Sequence, residues 1–100
     1  VIDLTFIKGK IVHDDLSPLK NIDPANQTDL LKEDMLQVEY PGEFLLDVGW
    51  YPSFDITGSF QIRAIKEYDW DTPLFFAKAK TTQLLIKKMM IAQNLINKDQ

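Results

Sequence analysis

Between residues 43 and 66, apolar side chains return at every second position on both sides of a short connection bearing proline and glycine. No other pattern restricts the chain as much. Phe44, Leu46, Val48 and Trp50 alternate with Leu45, Asp47, Gly49 and Tyr51, and Phe60, Ile62 and Ala64 alternate with Gln61, Arg63 and Ile65. A period of two belongs to a strand with a buried face. Pro52 has no N–H to give to a ladder and ends the first strand. Residues 53–58 connect it to the second, and Gly58 is free to take a positive φ there. Strands joined this closely form an antiparallel hairpin. The DWDTP stretch at 69–73 makes the next turn and LFFAKAK at 74–80 a third strand, so 43–80 is predicted to be a β-meander.

The clearest helical pattern begins at residue 81 or 82 and runs to about 97. Leu84, Leu85, Met89, Ile91, Ala92, Leu95 and Ile96 share one broad face, with Gln83, Lys87 and Asn94 opposite. Lys98 suits the negative end of the helix dipole. Covering one side of the meander with that face would contribute about 1.5–3 kcal/mol per large apolar side chain, and Met89 and Met90 read as core filler. Residues 1–7 alternate Ile2, Leu4 and Phe6 with Asp3 and Thr5, the pattern of a half-buried strand. Lys8, Gly9 and Lys10 turn the chain into a short return strand at Ile11 and Val12. Residues 14–42 are rich in Asp, Asn and Pro and read as an irregular insertion. It holds one short helix over LLKEDML, capped by Thr28 or Asp29, and closes on a turn at Pro41 and Gly42. The expected fold is a single α+β domain over 1–100: an antiparallel sheet, made of the β-meander plus an N-terminal strand or hairpin, with a C-terminal helix packed on one face.

Composition narrows the function. Fifteen acidic residues against eleven Lys and Arg leave a net charge of −4, the wrong sign for a nucleic-acid surface and the right one for steering a basic protein partner. There is no cysteine, hence no thiolate metal site and no disulfide framework, which fits a cytoplasmic address. No apolar run nears the ~20 residues of a membrane span, and the charged, alternating start is unlike a signal peptide. The lone histidine, His13, sits beside Asp14 and Asp15, but neighbours on a strand point to opposite faces, so it reads as a surface residue at a strand end. Four scattered glycines form no phosphate cradle, and no cofactor is expected. Asp47, Asp55, Glu67, Asp69 and Asp71 hold open the alternative of a small acid–base enzyme, although their spacing matches no carboxylate motif. A non-catalytic adaptor domain is a further alternative.

Two Trp, two Tyr and two Phe crowd residues 49–70. Trp50 and Phe60 fall on the apolar phase and belong to the core. Tyr51, Phe54, Tyr68 and Trp70 lie off phase at strand ends and turns, next to Asp55, Glu67, Asp69 and Asp71. Aromatic side chains of this kind are enriched among interface hot spots. These eight residues are the candidate partner-binding set.

Three motifs carry a resemblance. They are Val48, Gly49, Trp50, Tyr51 and Pro52; Asp55, Gly58 and Phe60 in a D-x-x-G-x-F spacing; and Asp69, Trp70, Pro73 and Leu74 in a D-W-x-x-P-L step. Over residues 44–96 the chain resembles the small bacterial immunity proteins of contact-dependent growth inhibition and related polymorphic toxin systems. The resemblance implies an antitoxin that neutralises a cognate toxin, often a nuclease with a basic groove, by binding it, with no reaction of its own. Tyr51, Asp55, Asp69 and Trp70 are the positions matching the family pattern, while Gly49, Gly58 and Pro73 serve backbone geometry.

Overall fold

The meander forms as the alternation requires. In the computed structural model, which describes residues 1–99, five antiparallel strands run in the order β1-β2-β3-β4-β5. They are β1 Lys10–Asp14, β2 Leu36–Tyr40, β3 Phe44–Tyr51, β4 Ser59–Lys66 and β5 Phe75–Ala79, followed by α1 Thr82–Asp99. The architecture is α+β, an open sheet with one C-terminal helix against it. α1 lies over β4 and β5 and reaches β3. The molecule measures 38 × 28 × 20 Å, the thickness of one sheet and one helix layer.

The even-numbered residues of the central strands face α1. Leu46, Val48, Phe60, Ile62 and Ala64 are fully buried with Leu85, Met89, Ala92 and Ile96 of the helix. Trp50 and Phe60, cross-strand partners, meet edge-on at 5.0 Å between ring centroids. The helix buries a narrower face than the wheel suggests. Leu84, Ile91 and Leu95, expected inside, are exposed. The buried face is turned toward the flank opposite those three, where Gln93 is 4% exposed and hydrogen-bonded. Its Oε1 accepts from the Tyr40 hydroxyl at 2.6 Å and the Lys8 N–H at 2.8 Å, and its Nε2 donates to the Phe6 carbonyl at 3.0 Å.

The N-terminal expectation is corrected. Residues 1–9 join no ladder. They cross the core as an irregular tether, with Ile2 buried and Leu4, Phe6 and Ile7 packed on the core cluster. Their backbone bonds go to Gln93, from the Ile2 N–H to the Ser17 carbonyl at 3.0 Å, and within the segment to Asp3 and Leu4. Alternation marks any extended segment with one buried side, whether or not a partner strand exists. The return strand is real but longer, Lys10–Asp14, and pairs with β2 instead, with a register break between Ile11 and His13.

Residues 14–42 are also corrected in part. The short helix over LLKEDML is only a 3-10 turn at Thr28–Leu30, and Leu36–Tyr40 is a full strand between β1 and β3. Leu31 and Met35, four apart and both buried, imitate a helical repeat. They belong instead to an irregular segment beside β3, where the Met35 N–H donates to the Val48 carbonyl at 3.1 Å and the Trp50 N–H to the Lys32 carbonyl at 2.8 Å. Gly58 has no positive φ; among the described glycines only Gly42, at 87°, does. A side chain at Gly58 would instead collide with the Trp50 indole nitrogen and the Tyr51 carbonyl.

Candidate functional site

The topology divides the eight candidate residues between opposite ends of the sheet. Tyr51, Phe54 and Asp55 belong to the end reached by the β3–β4 connection. Glu67, Tyr68, Asp69, Trp70 and Asp71 belong to the end reached by the β4–β5 connection. The eight residues of β4 lie between, roughly 25 Å at strand rise.

At the first end the loop is tied by its own groups. The Trp50 indole N–H and the Gly58 N–H both donate to the Asp55 carbonyl, at 2.8 and 2.9 Å, and the Asp55 carboxylate accepts from the Thr57 N–H and hydroxyl, at 2.9 and 2.7 Å. Those bonds, the backbone one first, hold the Asp55 carboxyl below its ordinary range. The Phe54 N–H donates to the Leu31 carbonyl at 2.7 Å, and the residue sits at φ 61° with its ring 60% exposed. A bulky residue in the left-handed region is uncommon and costs about 1–3 kcal/mol. Beside it opens a cleft of about 380 Å³ lined by Pro18, Leu19, Leu30 and Phe54 with Asp15, Asp29 and Lys32 at its polar wall. Lys32 Nζ is 2.6 Å from Asp15 Oδ2, and that bond lowers the Asp15 pKa.

At the second end Glu67 and Tyr68 are both left-handed, at φ 55° and 59°, and the Glu67 N–H donates to the Glu43 carbonyl at 2.8 Å. The chain is thereby folded back so that Tyr68 and Trp70 stand 65% and 44% exposed. Asp69 accepts from the Thr72 hydroxyl and N–H, and the hydroxyl bond foremost keeps its pKa low. Among the described residues, no Lys or Arg nitrogen lies within 4.0 Å of Glu43, Glu67, Asp69 or Asp71. Four acids without a side-chain cation within 4.0 Å, among the described residues, share this end of the sheet with two exposed aromatic residues.

The sequence reading missed a third feature. On the sheet face turned away from α1, the register aligns His13, Gln37, Asp47, Arg63 and Phe76 in one row across all five strands. The Arg63 guanidinium lies 4.8 Å from the Phe76 ring centroid and 5.5 Å from that of Tyr51, and bonds Gln61 Oε1 at 2.7 Å. Gln37 Nε2 donates to Asp47 Oδ1 at 3.2 Å. Alternation places each residue on this face, but only the register places them side by side. His13 Nε2 is 3.4 Å from Asp15 Oδ2 and 3.8 Å from Asp34 Oδ1, while the Asp14 carboxylate accepts from the Leu16 and Ser17 N–H groups, so His13, Asp14 and Asp15 do not converge.

Asp47 is 6% exposed, and burial pushes its pKa up against the Gln37 bond and the Arg63 charge. Its folded-state pKa therefore lies above the unfolded carboxylate value, so the folded chain holds the proton more tightly. Stability then falls as pH rises from the ordinary carboxylate range through that raised pKa, and levels off above it. Asp47→Asn keeps an acceptor for Gln37 and removes the buried charge. The variant is expected to show a higher urea midpoint than the parent at pH 7, with the difference closing on acidification; equal midpoints at pH 7 would contradict the assignment.

The carboxylates considered for acid–base work do not converge: Asp47 lies mid-sheet, Asp55 at one end, and Glu67, Asp69 and Asp71 at the other. Neither the cleft beside Phe54 nor the second cleft, lined by residues such as Asn21, Pro24 and Thr82, includes any of them. The chain matches no family model, no curated protein and no solved structure.

Proposed function

We propose that this chain is an immunity protein that binds and neutralises a cognate bacterial toxin domain carrying a basic surface, and that it does so in the cytoplasm. One observation carries the reading: exposed Tyr68 and Trp70 share one end of the sheet with Glu43, Glu67, Asp69 and Asp71, none with a side-chain cation within 4.0 Å among the described residues. Unpaired acids attract and orient a basic partner, and the rings supply large, stiff contact area once it has arrived. The low pKa of Asp69 keeps that carboxylate charged throughout the neutral range. No helix among the described residues is long and apolar enough to cross a membrane.

The test is stoichiometric binding to a basic toxin domain encoded immediately upstream, together with rescue of growth in cells expressing that toxin. Tyr68→Ala and Trp70→Ala should each weaken binding by about 30-fold, the effect of a hot spot of about 2 kcal/mol. Charge reversal at Asp69 and Asp71 should lower the association rate and flatten its dependence on salt. Full binding by the Tyr68→Ala, Trp70→Ala double variant, or no rescue by the parent chain, would refute the assignment.

A further inference from the structure

The last quarter of the chain has the opposite charge from the rest. Residues 75–99 set five lysines against Asp99, a net +4, while residues 1–74 set six Lys and Arg against fourteen Asp and Glu, a net −8. The basic part is β5 and α1. At 100° per residue, Leu84, Ile91 and Leu95 fall within about 20° of one line along the helix, with Lys87 and Lys88 within about 60° of it. Gln93 lies on the opposite flank. Because Gln93 is bonded to Tyr40 of β2 and to the N-terminal tether, the Leu84, Ile91 and Leu95 flank faces away from β2, toward the β5 edge. All three are 36–38% exposed.

β5 itself is an edge strand, with no further strand beside it among the described residues. It pairs with β4 in unbroken register from Phe60 with Ala79 to Ala64 with Phe75, and contains no proline, whereas the other edge strand, β1, has a break at Val12. A regular edge offers a row of backbone donors and acceptors to another extended chain.

We propose that the β5 edge and this flank of α1 form one docking surface for an acidic, extended segment of a partner protein. The segment adds beside β5 as a sixth strand: on the α1 side its side chains, acidic and apolar together, meet Lys87 and Lys88 and cover Leu84, Ile91 and Leu95, and on the other side its carboxylates meet Lys78, which shares the face of Phe76 and Gln61. Charge selects this occupant. A second copy presenting the same edge would set lysine against lysine, and lysines on an edge are a recognised guard against self-pairing. A lipid surface would need a wide apolar helix face, and that of α1 is already spent on the sheet. This surface uses other residues than toxin binding by the acidic tip: the tip adjoins the Phe75 end of β5, whereas Lys78 stands toward the Ala79 end and Lys87 and Lys88 are on α1.

The probes are two blocked nine-residue peptides, one alternating pairs of Glu with pairs of Val and one alternating pairs of Lys with pairs of Val, so that each face of the added strand carries both residue types, followed by amide exchange and methyl chemical shifts of the full chain. The Glu–Val peptide should slow exchange across β5 and shift the methyls of Leu84, Ile91 and Leu95. The Lys87→Glu, Lys88→Glu double variant should bind it at least tenfold more weakly with an unchanged thermal transition, and Lys78→Glu should weaken it without touching the helix. The proposal is overturned if the Glu–Val peptide does not bind, if the Lys–Val peptide binds equally, if the shifts map to β1, or if the reversed variants bind as the parent does. Self-association of the chain at low salt would assign the edge to a second copy. Binding to vesicles of phosphatidylserine and phosphatidylcholine, with no peptide binding, would assign it to lipid; either result overturns the proposal.

Discussion

Gly49→Ala is expected to destabilise the protein by about 3 kcal/mol or more, the upper end for an overpacked site. An added methyl would drive into the carbonyl oxygen of Glu33, far inside van der Waals contact, and would also press on the Tyr51 ring. The obstacle is backbone, which cannot swing aside as a side-chain tip can. Relief requires β3 or residues 32–35 to move, which loosens the bonds from Met35 N–H to the Val48 carbonyl and from Trp50 N–H to the Lys32 carbonyl. Gly49 has no positive φ, so conformational freedom is not what the position needs; it needs the space a hydrogen leaves. For a domain of this size a loss of that magnitude lowers Tm by more than about 10 °C. Urea and thermal unfolding measure it, with Gly42→Asn as the contrast. Gly42 is left-handed at φ 87°, a conformation asparagine tolerates. A Gly49→Ala cost below 1 kcal/mol would show that the approach of Glu33 to β3 is not tight.

Gln93→Leu is the second large effect, about 3 kcal/mol. The substitution keeps the volume apolar and leaves three groups without their partner: the Tyr40 hydroxyl, the Lys8 N–H and the Phe6 carbonyl. Each unsatisfied buried group costs about 1–3 kcal/mol, moderated where water can reach it. Burial pushes the Tyr40 pKa up to about 12, so its hydroxyl stays protonated and remains a donor in need of an acceptor at any neutral pH. Since Gln93 holds the tether to both β2 and α1, hydrogen exchange in residues 1–9 should accelerate more than exchange in β3 and β4. Uniform acceleration across the sheet, or none, would mean that the tether is held by its apolar contacts alone.

The same two sites show where the sequence was legible. β3, β4, β5 and α1 were readable because each has a strong period of its own: Phe44 to Trp50, Phe60 to Ala64, and Leu85, Met89, Ala92 and Ile96. Trp50 and Phe60 went to the core, and Phe54, Tyr68 and Trp70 to the surface, for the same reason. β2 was hidden although Leu36, Val38 and Tyr40 alternate, because Leu31 and Met35 upstream repeat at four and the run is only five residues long. Residues 1–7 carry the alternation of a strand, yet the bonds their backbone makes go to Gln93, Ser17 and their own Asp3 and Leu4, not to a strand. Alternation reports which side of an extended segment is buried and says nothing of what its N–H and C=O groups bond.

The candidate site divides along the same line. That Asp55 and Asp69 serve their own turns is local chemistry, two or three residues long, and can be read from the chain. That Tyr51, Phe54 and Asp55 stand at the opposite end of β4 from the group 67–71 follows from strand order. That Arg63 rests between Phe76 and Tyr51, in one row with Asp47 and Gln37, follows from register. The sequence by itself determined the period of each element and the sign of its charge, because both depend on residues close together along the chain. Only the tertiary structure decided which edge stayed open, which flank of the helix was left uncovered and which acids remained without a cation, because those depend on pairings between residues tens of positions apart, where burial and sterics choose among partners that local pattern leaves equivalent.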